Sequence, residues 1–276
     1  MKRIIILLLV VLTLGLTGCG DSGTEGVQET EEIIVKVGLV GEMTEMWVPV
    51  QENLESENIR IELVKFADYT LPNQSLADGE IDLNAFQHVA FLNNEIESKG
   101  FDLTPIGNTL LSALNVYSSN VDSIDDIEAG DKIAIPNDLT NGGRALKVLE
   151  TAGLISVDPA AGYTPELKDI TDNPLEIEFI EVEASNLPAL LPDVAAAVIN
   201  GNHAHDYGLT PAEDAIFTQS IDSLEKDNPY INVIVARTED KDNETYLKVV
   251  EAYNQENVGK VISDTFGGLY IPAWFE

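Results

Sequence analysis

A predicted strand, a polar turn and a predicted helix follow one another in residues 132–146, which read KIAIPNDLTNGGRAL. The apolar run 132–135 predicts a strand, and helical spacing over 143–152, stopped by Gly153, predicts a helix. Free backbone N–H groups and the helix dipole at such a junction favour a small anion. We expect Arg144, in the first helical turn, to hold a carboxylate through two hydrogen bonds. The alternative is an Arg144 paired with one of the many acidic side chains of the surface.

The same alternation of strands and helices extends outward from this unit in both directions. Predicted strands are residues 35–40, 59–66, 81–86, 113–118, 132–135, 176–182, 195–199 and 231–236. Predicted helices are residues 47–58, 73–79, 88–99, 143–152 and 243–266. Strands that alternate with helices are typical of a largely parallel sheet, so the fold class is α/β.

Ligand sites in such sheets lie beyond the carboxyl ends of the strands, so the residues that follow the strands are the candidates for a site. These are residues 68–69, 86–88, 136–144 and 200–202, which include aromatic rings, amides, one histidine and one arginine. Among them there is no carboxylate pair, no nucleophile beside a base and no glycine-rich phosphate loop. This composition indicates recognition of a ligand rather than catalysis.

The charge balance excludes one class of partner. Lys and Arg number 15 against 48 Asp and Glu, a net charge of -33 at pH 7, and such a surface repels phosphate backbones. We therefore expect no nucleic-acid partner. The content of 44% hydrophobic residues is ordinary for a globular chain, which argues against wholesale disorder and against a polytopic membrane protein.

The first 32 residues predict an anchor and a tether. An apolar run from Ile4 to Leu16 follows Lys2 and Arg3 and is too short to span a bilayer, as in a secretory signal peptide. Leu-Thr-Gly-Cys then forms a lipobox ending at Cys19, the single cysteine, which predicts lipid attachment at the extracytoplasmic face of the cell membrane. The alternative is a free buried thiol. Residues 20–32, rich in Gly, Ser, Thr and acids, predict a flexible tether.

Several long motifs carry a resemblance to a known family. They are residues 68–73 (DYTLPN), 78–88 (DGEIDLNAFQH), 135–146 (IPNDLTNGGRAL) and 228–232 (NPYIN). With the lipobox, they resemble the NlpA/MetQ lipoprotein family, substrate-binding proteins of methionine ABC importers. The resemblance covers residues 35–274. It implies a two-lobe periplasmic-binding-protein fold of type II with the ligand in the interlobe cleft, lobe 1 combining residues 33–117 and 230–276 and lobe 2 residues 118–229.

The same resemblance implies the binding site and the partners. Positions that enclose a thioether side chain and reach its polar end are Tyr69, Phe86 and His88. Positions that hold the carboxylate are Asn141 and Arg144, and amides that contact the backbone groups of the amino acid are Asn200 and Asn232. The implied ligand is methionine or a close analogue, and the implied partners are an ABC permease and its ATPase. No cofactor is implied.

Five positions depart from the pattern of the family. Ala113 stands where proline is common, and His203 stands where tyrosine is frequent. Val89 and Ala90 replace an aromatic-Pro pair, and Asn115 stands where glycine is common. If these side chains face the ligand, the cleft is roomier and more polar, and it accepts relatives of methionine; otherwise they only repack the lobe. His203 and His205 lie two residues apart without a third ligand, so no metal site is expected. An enzyme acting on a small amino acid and a surface adhesin that retains the fold remain the alternatives.

Overall fold

The computed structural model describes residues 32–221 and 227–274. The strands are β1 (Ile33–Val40), β2 (Ile59–Phe66), β3 (Leu83–His88), β4 (Leu103–Ser112), β5 (Leu114–Tyr117), β6 (Lys132–Pro136), β7 (Ser156–Val157), β8 (Ile170–Asp172), β9 (Glu178–Val182), β10 (Ala196–Asn200), β11 (Ala215–Phe217), β12 (Ile231–Arg237) and β13 (Tyr270–Pro272). The helices are α1 (Trp47–Leu54), α2 (Pro72–Ala77), α3 (Val89–Lys99), α4 (Leu139–Thr151), α5 (Leu187–Leu190), α6 (Gly201–Asp206), α7 (Pro211–Asp214), α8 (Glu244–Tyr253) and α9 (Glu256–Thr265).

The described strands form two larger sheets and one small hairpin. The first sheet has the order β13-β4-β12-β3-β1-β2, the second has the order β11-β5-β10-β6-β9, and β7 pairs with β8. Parallel pairing is confined to β2-β1-β3 in the first sheet and β10-β6-β9 in the second. The α/β class is therefore confirmed, but each sheet is mixed. Helical crossovers such as α1 join the parallel neighbours, since parallel strands cannot be joined by a tight turn.

Each sheet has its own apolar core. In the first, strand residues such as Val37 and Leu83 pack against Trp47 of α1 and Val258 of α9. In the second, the fully buried Ile133 and its neighbours pack against α4. Burial of these apolar side chains stabilises each sheet with its own helices. The polar residues at the strand ends are not part of these cores and lie between the two sheets.

The chain passes between the sheets twice. The first passage is short: β4 ends at Ser112 in the first sheet, and β5 starts at Leu114 in the second. The return runs from β11 to β12. The expected lobes, 33–117 with 230–276 and 118–229, stay a prediction. Within the second sheet, β5 (Leu114–Tyr117) pairs with β10, although the expected bounds assign β5 to lobe 1. The first passage therefore lies at Ala113, before β5, and not after Tyr117.

The helix predicted over 143–152 begins four residues earlier, which corrects the expected anion site. Asp138 is the N-cap of α4, and its carboxylate accepts the Asn141 N–H at 2.9 Å. The Gly142 N–H donates within the helix to the Asp138 carbonyl at 2.8 Å. Backbone N–H groups at Gly142 and Gly143 are thus not free for an anion, because an aspartate has capped the helix ahead of them.

The two glycines serve close packing instead. A Cβ on Gly142 would lie 2.7 Å from the Pro136 carbonyl oxygen, and one on Gly143 would lie 2.7 Å from the Thr164 Cα. Only glycine allows α4 to lie this close to the end of β6 and to the chain at residue 164. This packing holds Arg144, the next residue, at a fixed place beside the second sheet.

The prediction of one continuous helix over residues 243–266 is also wrong. It is two helices, α8 and α9, separated at Asn254 and Gln255, where Gln255 adopts an extended N-cap conformation with φ -101° and ψ 156°. Both helices bury an apolar face in the first core.

Within the described residues, no helix has the length and apolarity needed to cross a membrane. The predicted signal peptide, Cys19 and the tether up to residue 31 lie outside those residues.

Candidate ligand-binding site

A cavity of about 90 Å³ lies between the two sheets. All seven residues predicted for the site line it: Tyr69, Phe86, His88, Asn141, Arg144, Asn200 and Asn232. At ~10–15 Å³ for each water-sized group, it has room for a small ligand the size of an amino acid.

The carboxyl ends of the strands bring these residues together, as expected. Phe86 and His88 end β3, and Asn200 ends β10. Tyr69 follows β2, and α4, which carries Asn141 and Arg144, follows β6. The first sheet also places β12 beside β3, so that Asn232 is the register partner of His88. The cavity therefore lies at the position that open α/β sheets use for ligands.

One part of the cavity is aromatic and apolar. The Tyr69 and Phe86 rings stack with centroids 5.9 Å apart, and the Phe91 ring meets both edge to face. Burial raises the pKa of the Tyr69 phenol, so its hydroxyl is neutral and donates to Asn202 Oδ1 at 2.6 Å. Further apolar side chains complete this wall: Leu39, Val40, Met43, Met46 and Trp47. Such a surface suits an apolar side chain of a ligand.

A cluster of amides forms another wall. Asn141 Oδ1 accepts from Asn200 Nδ2 at 2.7 Å, and Asn141 Nδ2 donates to the Asp138 carboxylate at 3.1 Å. Within residues 32–221 and 227–274, Asn200 Oδ1 and Asn202 Nδ2 are buried without a partner. Since buried polar atoms are nearly always bonded, these two are an acceptor and a donor that a ligand can satisfy.

His88 has two roles, one in the helix and one in the cavity wall. Its Nδ1 accepts the Phe91 N–H at 3.0 Å and caps α3, so the ring proton is on Nε2, which lies 3.4 Å from Asn141 Oδ1. Burial, and then the positive charge of Arg144, lower the pKa of His88 to about 3. The imidazole is therefore neutral and acts as a hydrogen-bond donor, not as an ion.

Arg144 is a buried cation in this cavity. Its side chain is 3% exposed, and Nη2 donates to the Ser112 carbonyl and to Gln219 Oε1, the latter at 2.7 Å. The guanidinium carbon lies 4.5 Å from the centre of the Tyr230 ring. Burial lowers the pKa of Arg144 to about 10, which leaves it charged at neutral pH.

The charge of Arg144 is not compensated by an acid. Among the ion pairs of the described residues, none includes Arg144, and its Nε is buried without a partner. This excludes the alternative of pairing with a surface acid within that part of the chain. Because an unpaired buried charge is costly, this guanidinium can receive an anionic group of a ligand, and a planar carboxylate fits it well.

Sequence reasoning missed the residues that hold Arg144: Ser112, Gln219 and Tyr230. They lie where the chain passes between the sheets, and a local periodicity does not mark such places. Asn202, which was among the candidates that follow predicted strands but not among the seven predicted site residues, also lines the cavity.

Val89, Ala90 and Asn115, expected to widen the cleft, do not line the cavity. Asn115 instead accepts the Gln219 N–H at 3.0 Å. The structure therefore supports the repacking alternative for these three positions.

The lining shows no set of groups typical of an acid–base or metal site. The described residues that line the cavity include no carboxylate, lysine or cysteine, and no three metal-ligating side chains meet anywhere in the described chain. The His203 ring is tilted by 44° against the Tyr69 ring, with centroids 5.0 Å apart, while His205 lies 4.0 Å from the Glu45 carboxylate. Burial lowers the pKa of His203 to about 4. The cavity can thus bind and orient a ligand through neutral amides, rings and one cation.

The chain is similar to known proteins over nearly its full length. The D-methionine-binding lipoprotein MetQ of Yersinia pestis is 37% identical over 275 residues, which cover 99% of this chain and 98% of that protein. The D-methionine-binding lipoprotein MetQ of Escherichia coli strain K12 is 36% identical and covers 95% of this chain and 94% of its own length.

Solved structures have the same fold. A nutrient-binding protein from Burkholderia cenocepacia bound to methionine is 37% identical with a TM-score of 0.81, covering 87% of this chain and 100% of that one. The substrate-binding protein of a methionine transporter from Streptococcus pneumoniae is 34% identical with a TM-score of 0.81, covering 87% and 96%. The fold is therefore the expected two-lobe periplasmic-binding-protein fold. The family model of the NlpA lipoproteins matches residues 35–274, and the chain belongs to the NlpA lipoprotein family.

Proposed function

We propose that this chain is the substrate-binding protein of an ABC importer, that it binds methionine or a close analogue, and that it delivers this ligand to a permease driven by an ATPase. The observation that carries the proposal is the buried Arg144 guanidinium, which faces the cavity without an acidic partner among the described residues. A cation in this state requires an anion, and the apolar wall opposite limits that anion to a ligand with an apolar side chain.

Each part of an amino acid has a matching wall. The carboxylate lies at Arg144 Nε, and the ammonium donates to Asn200 Oδ1, the buried acceptor that the protein leaves unpaired. The thioether packs among the rings of Tyr69, Phe86 and Phe91, where each sulfur–aromatic contact contributes ~0.3 to 1.5 kcal/mol. Neutral His88 and Asn141 keep the amide wall fixed around the ligand.

The cellular role follows from the family and from the start of the sequence. Relatives are named methionine-binding lipoproteins, and one structural neighbour is the substrate-binding protein of a methionine transporter. A lipid on Cys19 would hold the protein at the extracytoplasmic face, and the tether of residues 20–32 would leave the binding domain free to reach a permease.

Calorimetry with four ligands tests the proposal: D-methionine, L-methionine, L-methioninamide and L-norleucine. Methioninamide lacks the carboxylate, and loss of one partner of a buried charge pair costs ~2 to 5 kcal/mol, so it should bind at least about thirtyfold more weakly than methionine. Norleucine replaces sulfur with a methylene and should lose about tenfold or less.

The outcome that contradicts the carboxylate assignment is equal affinity for methionine and methioninamide. If neither enantiomer of methionine binds to the folded protein, the transport function is wrong, and an adhesin that retains the fold becomes the better explanation. Turnover of any of these ligands during the titration would indicate an enzyme instead.

A further inference from the structure

Two crossing segments carry the chain between the sheets, and the side chain of Gln219 joins them. The first crossing segment is residues 112–114; the second is residues 218–230, described except for 222–226. Gln219 Oε1 accepts the Leu114 N–H at 3.0 Å, and the Gln219 N–H donates to Asn115 Oδ1 at 3.0 Å. A single residue of the second segment is thus bonded to two neighbouring residues at the start of β5.

Arg144 is bonded into the same junction. Its Nη2 donates to the Ser112 carbonyl of the first crossing segment and to Gln219 Oε1 of the second. The Tyr230 ring, at the end of the second segment, lies 4.5 Å from its guanidinium carbon. The Arg144 guanidinium therefore contacts both crossing segments. Its Nη2 donates to one residue of each segment, and the ring of Tyr230 in the second segment packs against it.

Such anchoring matters for a flexible side chain. An arginine side chain that is free to rotate loses rotamer entropy when a ligand fixes it, and this loss weakens binding unless the guanidinium is already oriented. With Nη2 occupied, the guanidinium of Arg144, which lines the cavity, is held in one orientation, and its Nε is buried without a partner. The same Gln219 oxygen serves both Leu114 and Arg144, so the spacing of the crossing segments determines where the guanidinium lies.

We propose that Gln219 is a positioning residue for ligand binding: it orients Arg144 toward the carboxylate of the ligand, and Asn115 holds Gln219 in place. This inference rests on the proposed function. Asn115, which departs from the pattern of the family, here acts through Gln219 and not through contact with the ligand. Its buried side chain accepts the Gln219 N–H, a contact that a glycine at this position cannot make.

Three variants of the full-length lipoprotein in detergent test the proposal, with L-methionine and L-methioninamide as calorimetric probes. Gln219→Ala removes one of the two acceptors of Arg144 Nη2 and leaves the Ser112 carbonyl. Gln219→Glu keeps the acceptor for Leu114 but adds an anion beside Arg144. The matched control is Asn173→Ala, because the Asn173 amide also bridges backbone groups, donating to the Ile177 carbonyl and accepting its N–H, away from the cavity.

The ratio of the two affinities is the decisive readout, since a merely structural role would weaken both probes equally. We expect Gln219→Ala to weaken methionine binding about tenfold and methioninamide binding less than about threefold. Gln219→Glu should weaken methionine about a hundredfold, because its carboxylate competes for Arg144, and leave methioninamide nearly unchanged. Asn173→Ala should lower the melting temperature without changing the ratio.

An unchanged ratio in both Gln219 variants, with methionine still bound by the wild type, would overturn the positioning role and leave the proposed function intact. A wild-type protein that binds neither probe would contradict the proposed function itself, and with it this role of Gln219.

Discussion

Replacing Arg144 with Met separates ligand binding from stability. In the ligand-free protein the guanidinium is buried without an acid among the described residues, and burial lowers its pKa to about 10, which corresponds to about 3 kcal/mol against the charged form. Against this, removal leaves the Ser112 carbonyl without its charged donor, a cost of ~1 to 3 kcal/mol, whereas Gln219 Oε1 still accepts the Leu114 N–H. The two effects nearly cancel, so the free energy of unfolding should change by less than about 2 kcal/mol.

The effect on binding has no such compensation. Loss of the cation that receives the carboxylate costs ~2 to 5 kcal/mol, which weakens methionine binding about 30- to 5000-fold. In the wild type, methionine at ~100 times its Kd adds about 2.7 kcal/mol to the free energy of unfolding, a rise of several degrees in melting temperature.

Differential scanning calorimetry of Arg144→Met, with and without methionine, measures both quantities. The ligand-free melting temperature should stay within a few degrees of the wild type, and the shift caused by methionine should disappear. The carboxylate assignment fails if the shift persists in full. A ligand-free melting temperature lowered by far more than a few degrees would instead make Arg144 a structural residue. Arg144→Lys is the control that retains charge, and it should restore only part of the affinity.

Three further predictions follow from other parts of the chain. Burial lowers the pKa of His203 to about 4, so its unfolded form takes up a proton below pH ~6.5, and this residue alone lowers stability by ~1.4 kcal/mol per pH unit as the pH falls from there to ~4. In urea unfolding, His203→Gln should remove that contribution and leave the similar one of His88, whose pKa is about 3. Gly143→Ala puts a Cβ 2.7 Å from the Thr164 Cα and should destabilise the protein by ~1 to 3 kcal/mol in thermal unfolding. The control Gly259→Ala should destabilise it less, because the atom nearest to its Cβ is a Trp274 ring carbon at 3.1 Å. Cys19→Ser should leave uncleaved precursor or released protein, and mature-length protein retained in membrane fractions would contradict the lipobox.

Much of the candidate site was predictable because it depends on short-range features. Tyr69, His88, Asn141 and Asn200 each follow or end a strand, and the geometry of parallel strands brings such residues to one edge. The resemblance to the family then selected among them. All seven predicted residues line the cavity, although their contacts with a ligand stay a prediction.

The errors arose where a local signal had two structural explanations. Gly142 and Gly143 were interpreted as an anion-binding turn, but Asp138 caps the helix earlier, and the glycines allow close packing. A continuous helical pattern over residues 243–266 hid the break at Asn254, because both helices turn their apolar faces to one core. The direction in which Asn115 points could not be read from its place in a strand.

Within the sequence, hydrophobic periodicity determined the α/β class, and the residues at strand ends supplied most of the candidates among which the resemblance to the family selected the site. The lipobox predicted the anchor at Cys19. Tertiary structure decided the rest: that β5 belongs to the second sheet, that Arg144 is buried without an acid among the described residues, and that Gln219 bonds to it. Residues 144 and 219 are 75 positions apart. Their contact exists because the packing of the folded chain brings α4, which carries Arg144, next to the crossing segment that carries Gln219. A pattern that extends over a few neighbouring residues cannot predict such a contact.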